Sequence, residues 1–231
     1  MNITDLLLSE EVQYIGRITA SSNNGLLVKF CDQDESLYGI YKPENFERPL
    51  WDFEPGLYKR EYLTYVSSSL LGFNIVPETV IRQDLEFGIG SVQHFLDDVR
   101  YYDYFEVLDD EKFHGELLKI AVMDLIINNA DRKAGHVLVT EDELVYAIDN
   151  GLTFNAVPKL RTVIWEFTDV LLAYEIKTGI EQFIDKFESS ASGLISEIEI
   201  DVTLKRAKAL LSLGRFPNIS DENRTYPWPI Y

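Results

Sequence analysis

The sequence contains very little cysteine and histidine. Its single cysteine, Cys31, excludes a disulfide within the chain and is typical of a protein from a reducing compartment. The three histidines stand without a cysteine cluster, so the ligand pattern of a zinc site is missing. No apolar run approaches the roughly 20 residues of a membrane span, and the acidic N-terminus lacks the basic region of a signal peptide. We therefore expect a cytoplasmic protein.

Basic residues are also scarce. The 21 lysines and arginines stand against 39 acidic residues, which gives a net charge of -18. Such a surface repels nucleic acid and anionic lipid, so neither nucleic-acid binding nor stable membrane association is expected. An anionic ligand would need a bound metal and a few well-placed cations to create a local positive potential. The hydrophobic fraction of 46% nevertheless indicates a packed globular protein.

The order of the predicted elements divides the chain into two parts. Before residue 97 the apolar residues mostly follow the short spacing of an antiparallel meander, and after it they mostly follow the spacing of helices. The predicted elements are a helix over 3–11 capped by Thr4, strands over 13–20, 26–31 and 37–41, a helix over 56–71, strands over 76–82 and 87–95, helices over 117–126, 180–187 and 200–213, and an extended C-terminal strap. We therefore expect an α+β, two-lobed fold with a β-rich lobe over 1–96, a mainly helical lobe over 97–231 and a cleft between them.

Residues 124–151 form the stretch around which the remaining sequence can be interpreted. An apolar segment ends in a group of polar residues, and two short apolar runs follow it, Val137–Val139 and Leu144–Ile148. This pattern predicts a β-hairpin, which would bring Asp131 and Asp149 close together. Two adjacent carboxylates repel each other unless a cation or a shared proton relieves the repulsion. A divalent metal that carries phosphates is the commonest such cation.

Two further residues precede this pair in an informative order. Lys42 ends the third predicted strand, and Glu61 lies 19 positions later in the predicted helix. Lysine, glutamate and two aspartates follow one another in this way in kinase-like folds, where phosphoryl transfer depends on positioning and charge neutralisation. Each residue alone would more commonly be solvated, so the order carries the argument.

The polar stretch resembles the catalytic and metal-binding loops of atypical kinases, a group that includes the phosphatidylinositol 3- and 4-kinases and the HipA-type bacterial kinases. More narrowly, the chain is similar to short bacterial proteins described as phosphatidylinositol 3/4-kinase-like. The segments that carry the resemblance are Asn129-Ala-Asp131-Arg132-Lys-Ala-Gly-His136, Ile148-Asp149-Asn-Gly151, Tyr41-Lys-Pro, Glu47-Arg-Pro-Leu-Trp-Asp-Phe53, Arg60-Glu61, Lys159-Leu-Arg-Thr-Val163 and Tyr226-Pro-Trp-Pro229. The resemblance implies an ATP- and Mg²⁺-dependent phosphotransferase.

The resemblance also implies a role for each matching residue. Lys42 would contact the ATP phosphates and Glu61 would pair with Lys42. Asp131, with Arg132 beside it, would act on the acceptor hydroxyl, and Asp149 would be the main Mg²⁺ ligand. The backbone that reads adenine would be the hinge, namely Gln93, His94, Phe95 and Leu96. Independently, the turn that contains Ser22 and Asn23 offers N–H groups that could close over phosphates, although the same sequence suits an ordinary hairpin.

Two positions depart from the family pattern. His136 stands where that pattern has asparagine, and Lys133 replaces a histidine. His136 could ligate the metal, hydrogen-bond a phosphate or serve the structure alone, because imidazole is a softer ligand than Mg²⁺ prefers. Arg132 could likewise brace Asp149 or a nearby carbonyl. The alternative to an active kinase is therefore a nucleotide-binding pseudokinase with a regulatory or scaffolding role.

The acceptor is not identified by the sequence beyond a hydroxyl group on a protein or a small metabolite. Lys159 and Arg161 follow the metal-binding segment, where an acceptor would dock. They could recognise an anionic group or form salt bridges within this acidic chain. The three tryptophans, Trp51, Trp165 and Trp228, are interpreted most simply as core or lobe-contact residues.

Overall fold

A computed structural model describes residues 2–18, 25–32 and 35–231 of the protein. The phosphate-turn prediction for Ser22 and Asn23 lies outside these described residues. The fold is α+β, with an antiparallel β-sheet part and a helical part. Its elements in chain order are α1 (Ile3–Leu7), β1 (Glu11–Arg17), β2 (Leu26–Asp32), β3 (Glu35–Pro43), α2 (Leu57–Leu70), β4 (Thr79–Arg82), β5 (Gly90–His94), β6 (Val99–Tyr101), α3 (Tyr104–Leu108), α4 (His114–Ile127), β7 (Val137–Thr140), β8 (Val145–Ala147), α5 (Tyr174–Ala191) and α6 (Glu197–Leu213).

The first five strands form one antiparallel sheet in the order β1-β2-β3-β5-β4. Strand β3 lies in the middle of the sheet, and its Lys42 is paired with Ser91 of β5. Alternate residues of the sheet point inward and form a small apolar core that includes Val28, Phe30 and Val92. The position of Lys42 near the end of a central strand therefore follows from a well-determined register.

The second part combines a three-stranded sheet, β6-β7-β8, with long helices. Helix α4 contains a long apolar run that packs into the larger core, so nine of its 14 residues are buried. Helix α6 begins with a capping box between Ser196 and Glu199 and ends at Gly214, whose φ of 70° is the left-handed conformation that glycine adopts readily. Among the described helices, none combines the length and apolar character that a membrane crossing requires.

The last residues form the predicted extended strap. Its backbone carbonyls accept hydrogen bonds at two places, from Thr162 N to Thr225 O at 3.1 Å and from Ala134 N to Ile230 O at 2.9 Å. Ile230 also packs against the larger core. The strap thus joins the segment just after Asp131 to the segment around Thr162.

Several sequence predictions require correction. Helix α1 is capped by Asn2 rather than Thr4, since the Asn2 side chain accepts a hydrogen bond from Asp5 N. The helix ends at Leu7, and the chain is already extended in β1 from Glu11. Helix α5 is longer than the predicted range 180–187, since its buried residues extend from Ile176 to Ala191. Strand β6 was not predicted, because it is only three residues long.

The prediction for the tryptophans is correct only for Trp165, which is buried. The prediction is wrong for Trp51 and Trp228, whose side chains are 92% and 89% exposed. Trp51 lies instead on the surface with the ammonium of Lys159 4.9 Å from its ring centroid.

Candidate active site

Lys42 lies between two carboxylates. Its ammonium donates a hydrogen bond to Glu61 and another to Asp149 Oδ1, the latter at 2.8 Å. Burial alone would lower the pKa of Lys42, but the charges of Asp149 and Glu61 outweigh burial and raise that pKa above its ordinary value. Lys42 is therefore positively charged at neutral pH.

Glu61 connects this lysine to the segment that follows β8. The side chain is 3% exposed on α2, and its second oxygen accepts a hydrogen bond from Asn150 N at 3.0 Å. Both carboxylate oxygens of Glu61 are thus used, one by Lys42 and one by the backbone next to Asp149. The arrangement fixes α2, β3 and the Asp149 segment relative to one another.

An apolar cavity of about 200 Å³ opens beside Lys42. Its walls are side chains of both sheets together with the predicted hinge residues, and they comprise Ile18, Ile40, Lys42, Gln93, His94, Phe95, Leu96, Leu138, Ile148 and Asp149. The hinge amides of His94 and Phe95 donate to Glu78 O and Tyr38 O, at 2.8 and 2.9 Å. The amide of Leu96 has no hydrogen-bond acceptor among the described residues. The cavity thus combines apolar walls, one available donor and a cation at its edge.

Asp131 is held by its own loop. Its backbone N–H donates to Asn129 Oδ1 at 2.9 Å, and Lys133 Nζ lies 3.4 Å from its carboxylate. Burial raises the pKa of Asp131 to about 6, with a further increase from Asp149 and an opposing effect of Lys133. A carboxylate with this pKa can accept a proton near neutral pH.

Asp149 has the opposite protonation behaviour. Burial would raise its pKa, but Lys42 and then His136 lower it well below the ordinary range. The residue adopts the left-handed backbone conformation, with φ of 55°. Asp131 and Asp149 therefore differ chemically, since one can take up a proton and the other stays anionic.

His136 faces Asp149 across the site. Its Nε2 lies 3.5 Å from Asp149 Oδ2, and its Nδ1 lies 3.4 Å from the N–H of Lys133, which can donate only to an unprotonated nitrogen. Burial lowers the pKa of His136 to about 4, so the ring is neutral at pH 7. The hydrogen bond at Nδ1 places the remaining ring hydrogen on Nε2. In this tautomer Nε2 is a donor toward Asp149.

The donor set fits a magnesium ion that is carried mainly by phosphates. Within the described ranges, no group of three or more histidine, cysteine, aspartate or glutamate side chains could hold a metal ion. Magnesium in nucleotide sites is commonly bound by one or two carboxylates, with phosphates and water completing the shell. Asp149 supplies such a carboxylate, and His136 could join it only in the tautomer with the hydrogen on Nδ1.

Arg132 does not reach the cavity, because it is completely buried in a polar network behind the site. Its guanidinium donates to both oxygens of Asp124 at 2.9 Å, to Ile148 O at 2.8 Å and to Asn150 Oδ1 at 2.6 Å. Of the two roles considered for Arg132, this placement corresponds to bracing a backbone carbonyl. Asp124 was missed by the sequence analysis, although a lone carboxylate inside the apolar α4 run should have indicated a buried cationic partner.

Lys159 and Arg161 differ in their surroundings. Lys159 Nζ is 2.8 Å from Asp52 Oδ2, so Lys159 forms the salt bridge that was one of its two expected roles. Arg161 is exposed and its guanidinium forms no ion pair with any described residue. Asn128 fixes the loop, since its side chain donates a hydrogen bond to Asn155 O and accepts one from Lys159 N.

Comparison with known proteins finds a related sequence and solved structures with a related fold. No family model matches the chain. The Mycobacterium tuberculosis protein Rv2133c is 33% identical, over 98% of this chain and 94% of that protein. The Helicobacter pylori proinflammatory kinase CtkA superposes with a TM-score of 0.51 at 12% identity, covering 89% of this chain and 92% of that one. The structure of hydra Fam20 with sugar superposes with a TM-score of 0.51 at 13% identity, covering 91% of this chain and 86% of that one. These two likenesses show a kinase-like fold.

Proposed function

We propose that this chain, which belongs to the same family as the mycobacterial protein Rv2133c, transfers the γ-phosphoryl group of ATP to a hydroxyl acceptor. The observation that carries the proposal is the position of Lys42 between Glu61 and Asp149 at the edge of an apolar cavity. The kinase-like fold supports the same conclusion. The proposal includes three further expectations. They are membership of the phosphatidylinositol 3/4-kinase-like group, a cytoplasmic location and a boundary between the lobes at residue 96.

The nucleotide would bind with adenine in the cavity. The aliphatic side chains of Ile40, Leu138 and Ile148 would sandwich the base, and the amide of Leu96 would donate to a ring nitrogen. The phosphates would then lie at Lys42, which is already charged and oriented by Glu61. Because the chain has a net charge of -18, this placed cation matters more than general attraction.

The acceptor hydroxyl would lie at Asp131. Its oxygen would form a bond to the γ-phosphorus while the bond from that phosphorus to the β-bridging oxygen breaks, and ADP would leave. The hydroxyl proton would pass to the Asp131 carboxylate, whose pKa of about 6 suits proton uptake at neutral pH. Asp149 would hold Mg²⁺, joined by His136 only in the tautomer with the hydrogen on Nδ1, and the bound ion would supply neutralisation of the charge on the phosphates.

The test is Mg²⁺-dependent ATP binding and turnover by the wild-type protein and three variants. Asp131→Asn should bind ATP normally but lose turnover, and Asp149→Ala should lose the Mg²⁺-dependent part of binding. Asp142→Asn, at an exposed hairpin position, makes the same chemical change as Asp131→Asn and should behave as wild type. No ATP binding by the wild type, or equal turnover in all variants, would refute the assignment. Tight binding without turnover would instead identify the pseudokinase alternative.

A further inference from the structure

Arg161 is the neighbour of Asp131 in backbone pairing. The N–H of Arg161 donates to Asn129 O at 2.9 Å, and its carbonyl accepts from Arg132 N at 3.0 Å. The next residue, Thr162, forms a parallel bridge with Arg132. Position 161 therefore stands beside position 131, and its backbone is fixed by the same loop that carries the proposed base.

Burial shows which way the two side chains point. The bridge partners Arg132 and Thr162 are 0% and 1% exposed, so both face the interior. Successive residues of extended segments point to opposite faces, and hence Asp131 and Arg161 share the outer face. Their backbones are about 4.8 Å apart, as in any adjacent pair of extended segments.

The cations near Asp131 differ in whether they are already paired with a carboxylate. Lys133 lies 3.4 Å from Asp131, and Lys159 lies 2.8 Å from Asp52. Arg161, by contrast, has neither an ion pair nor a side-chain hydrogen bond with any residue in the described ranges. In a chain with 39 acidic and 21 basic residues, an exposed arginine that finds no internal carboxylate can bind an external anion.

We infer that Arg161 binds an anionic group of the phosphoryl acceptor, so that the acceptor is a hydroxyl compound with a phosphate or carboxylate close to the reacting hydroxyl. The inference rests on the proposed function, because it places the acceptor hydroxyl at Asp131. An arginine beside Asp131 would hold an anion close to that hydroxyl, and its planar fork bonds two oxygens at once. Lys159 cannot take this role while it is paired with Asp52.

The experiment is an NMR titration of the arginine Nε–Hε signals in the presence of Mg²⁺ and a non-hydrolysable ATP analogue. The probes are inorganic phosphate and acetate, which separate the two anion chemistries. The Arg161 signal should shift in a saturable manner, and Arg161→Gln should weaken binding of the better probe at least ~fivefold. The anion affinity of Arg161→Lys should lie between those of the wild type and Arg161→Gln, because lysine keeps the charge but lacks the planar fork. Lys208→Gln, an exposed position on α6, makes the same change of charge and should bind as wild type.

Two results would overturn the inference. One is the absence of a saturable Arg161 shift with either probe, and the other is equal anion binding by the wild type and Arg161→Gln. Binding of the ATP analogue is followed in the same samples, which separates the two hypotheses. If the analogue does not bind, the proposed function fails, whereas analogue binding without an Arg161 response contradicts only the acceptor inference.

Discussion

Lys42 Nζ lies 2.8 Å from Asp149 Oδ1, although 107 positions separate the two residues in the chain. The contact joins the central strand of the large sheet to the segment after β8, and Glu61 completes it from α2. A cation and an anion are thus preorganised at one point, as the proposed binding of nucleotide phosphates and a metal requires.

Lys42→Met should reduce ATP affinity by at least about tenfold, which corresponds to about 1.4 kcal/mol. The variant removes the cation and also leaves Glu61 and Asp149 to repel incoming phosphates. Lys42→Arg keeps the charge and should lose less. Calorimetric titration with ATP measures both, and equal affinity of Lys42→Met and wild type would show that ATP binds elsewhere.

Leu138→Trp should block the cavity beside Lys42. The side chain of Leu138 lines a space of about 200 Å³, and a bulky indole would occupy the volume proposed for adenine. We expect ATP affinity to fall about tenfold or more, while Leu138→Met, which conserves volume, should have little effect. Thermal unfolding of both variants without ATP controls for damage to the fold. Unchanged ATP affinity in a folded Leu138→Trp protein would rule out this cavity.

Asp124→Asn should lower the free energy of unfolding by about 3–5 kcal/mol, because it leaves the buried Arg132 charge without its carboxylate. The matched control is Asp201→Asn, which breaks an exposed pair with Lys205 and should change the stability by less than about 1 kcal/mol. Urea unfolding measures both. Equal, small losses would mean that the Asp124 network does not stabilise the loop that contains Asp131 and Arg132.

The pH dependence of stability should reveal the raised pKa of Asp131. In the metal-free protein the folded-state pKa of about 6 exceeds the ordinary value of 3.8, so the folded protein binds the proton more tightly. The contribution of Asp131 is therefore fully present below about pH 4 and is lost as the pH rises through 6. Asp131→Asn stays neutral, and its stability relative to wild type should increase over this window by about 1–2 kcal/mol after allowance for solvent screening.

Urea unfolding of both proteins from pH 4 to pH 7 gives this difference directly. Taking the difference cancels the contribution of His136, which runs in the opposite direction because its folded-state pKa is lowered to about 4. A constant difference between the two proteins across the window would contradict the raised pKa.

His136→Asn should change the metal preference of the ATP complex. If His136 is a ligand, its nitrogen favours Mn²⁺ over Mg²⁺ more than an amide oxygen does. The variant should therefore bind Mg²⁺ relative to Mn²⁺ more strongly than wild type, as measured by competition against Mn²⁺ in an electron paramagnetic resonance titration. An unchanged preference would indicate that Nε2 remains a hydrogen-bond donor to Asp149 instead of a ligand.

The sequence predicted the local elements around the site better than the contacts that support them. The hairpin after residue 136 is confirmed, because two β-type runs around an acidic turn have few other solutions. The Asp124–Arg132 pair was not foreseen, since its energy depends on desolvation that no local pattern records. The contact between the exposed Trp51 ring and the distant Lys159 was missed for a related reason, because the two residues meet only in the folded chain.

The difference between Lys159 and Arg161 shows the same limit. Lys159 and Arg161 are similar cations two residues apart, and the same two roles were expected for both. They differ in the structure because Asp52, which lies 107 positions before Lys159, pairs with Lys159 and not with Arg161. Charge partners of this kind are a property of the folded chain, and sequence spacing does not encode them.

The strap affects the order in which the loop beside Asp131 is completed during synthesis. Ala134 and Thr162 each donate a backbone hydrogen bond to residues near position 230, long after the segments that contain them have been translated. A nascent chain halted before Thr225 would contain Lys42, Glu61, Asp131 and Asp149 but would lack both supports. The hydrogen bonds that complete the loop beside Asp131 can therefore form only after the segment from Thr225 to Ile230 has been translated.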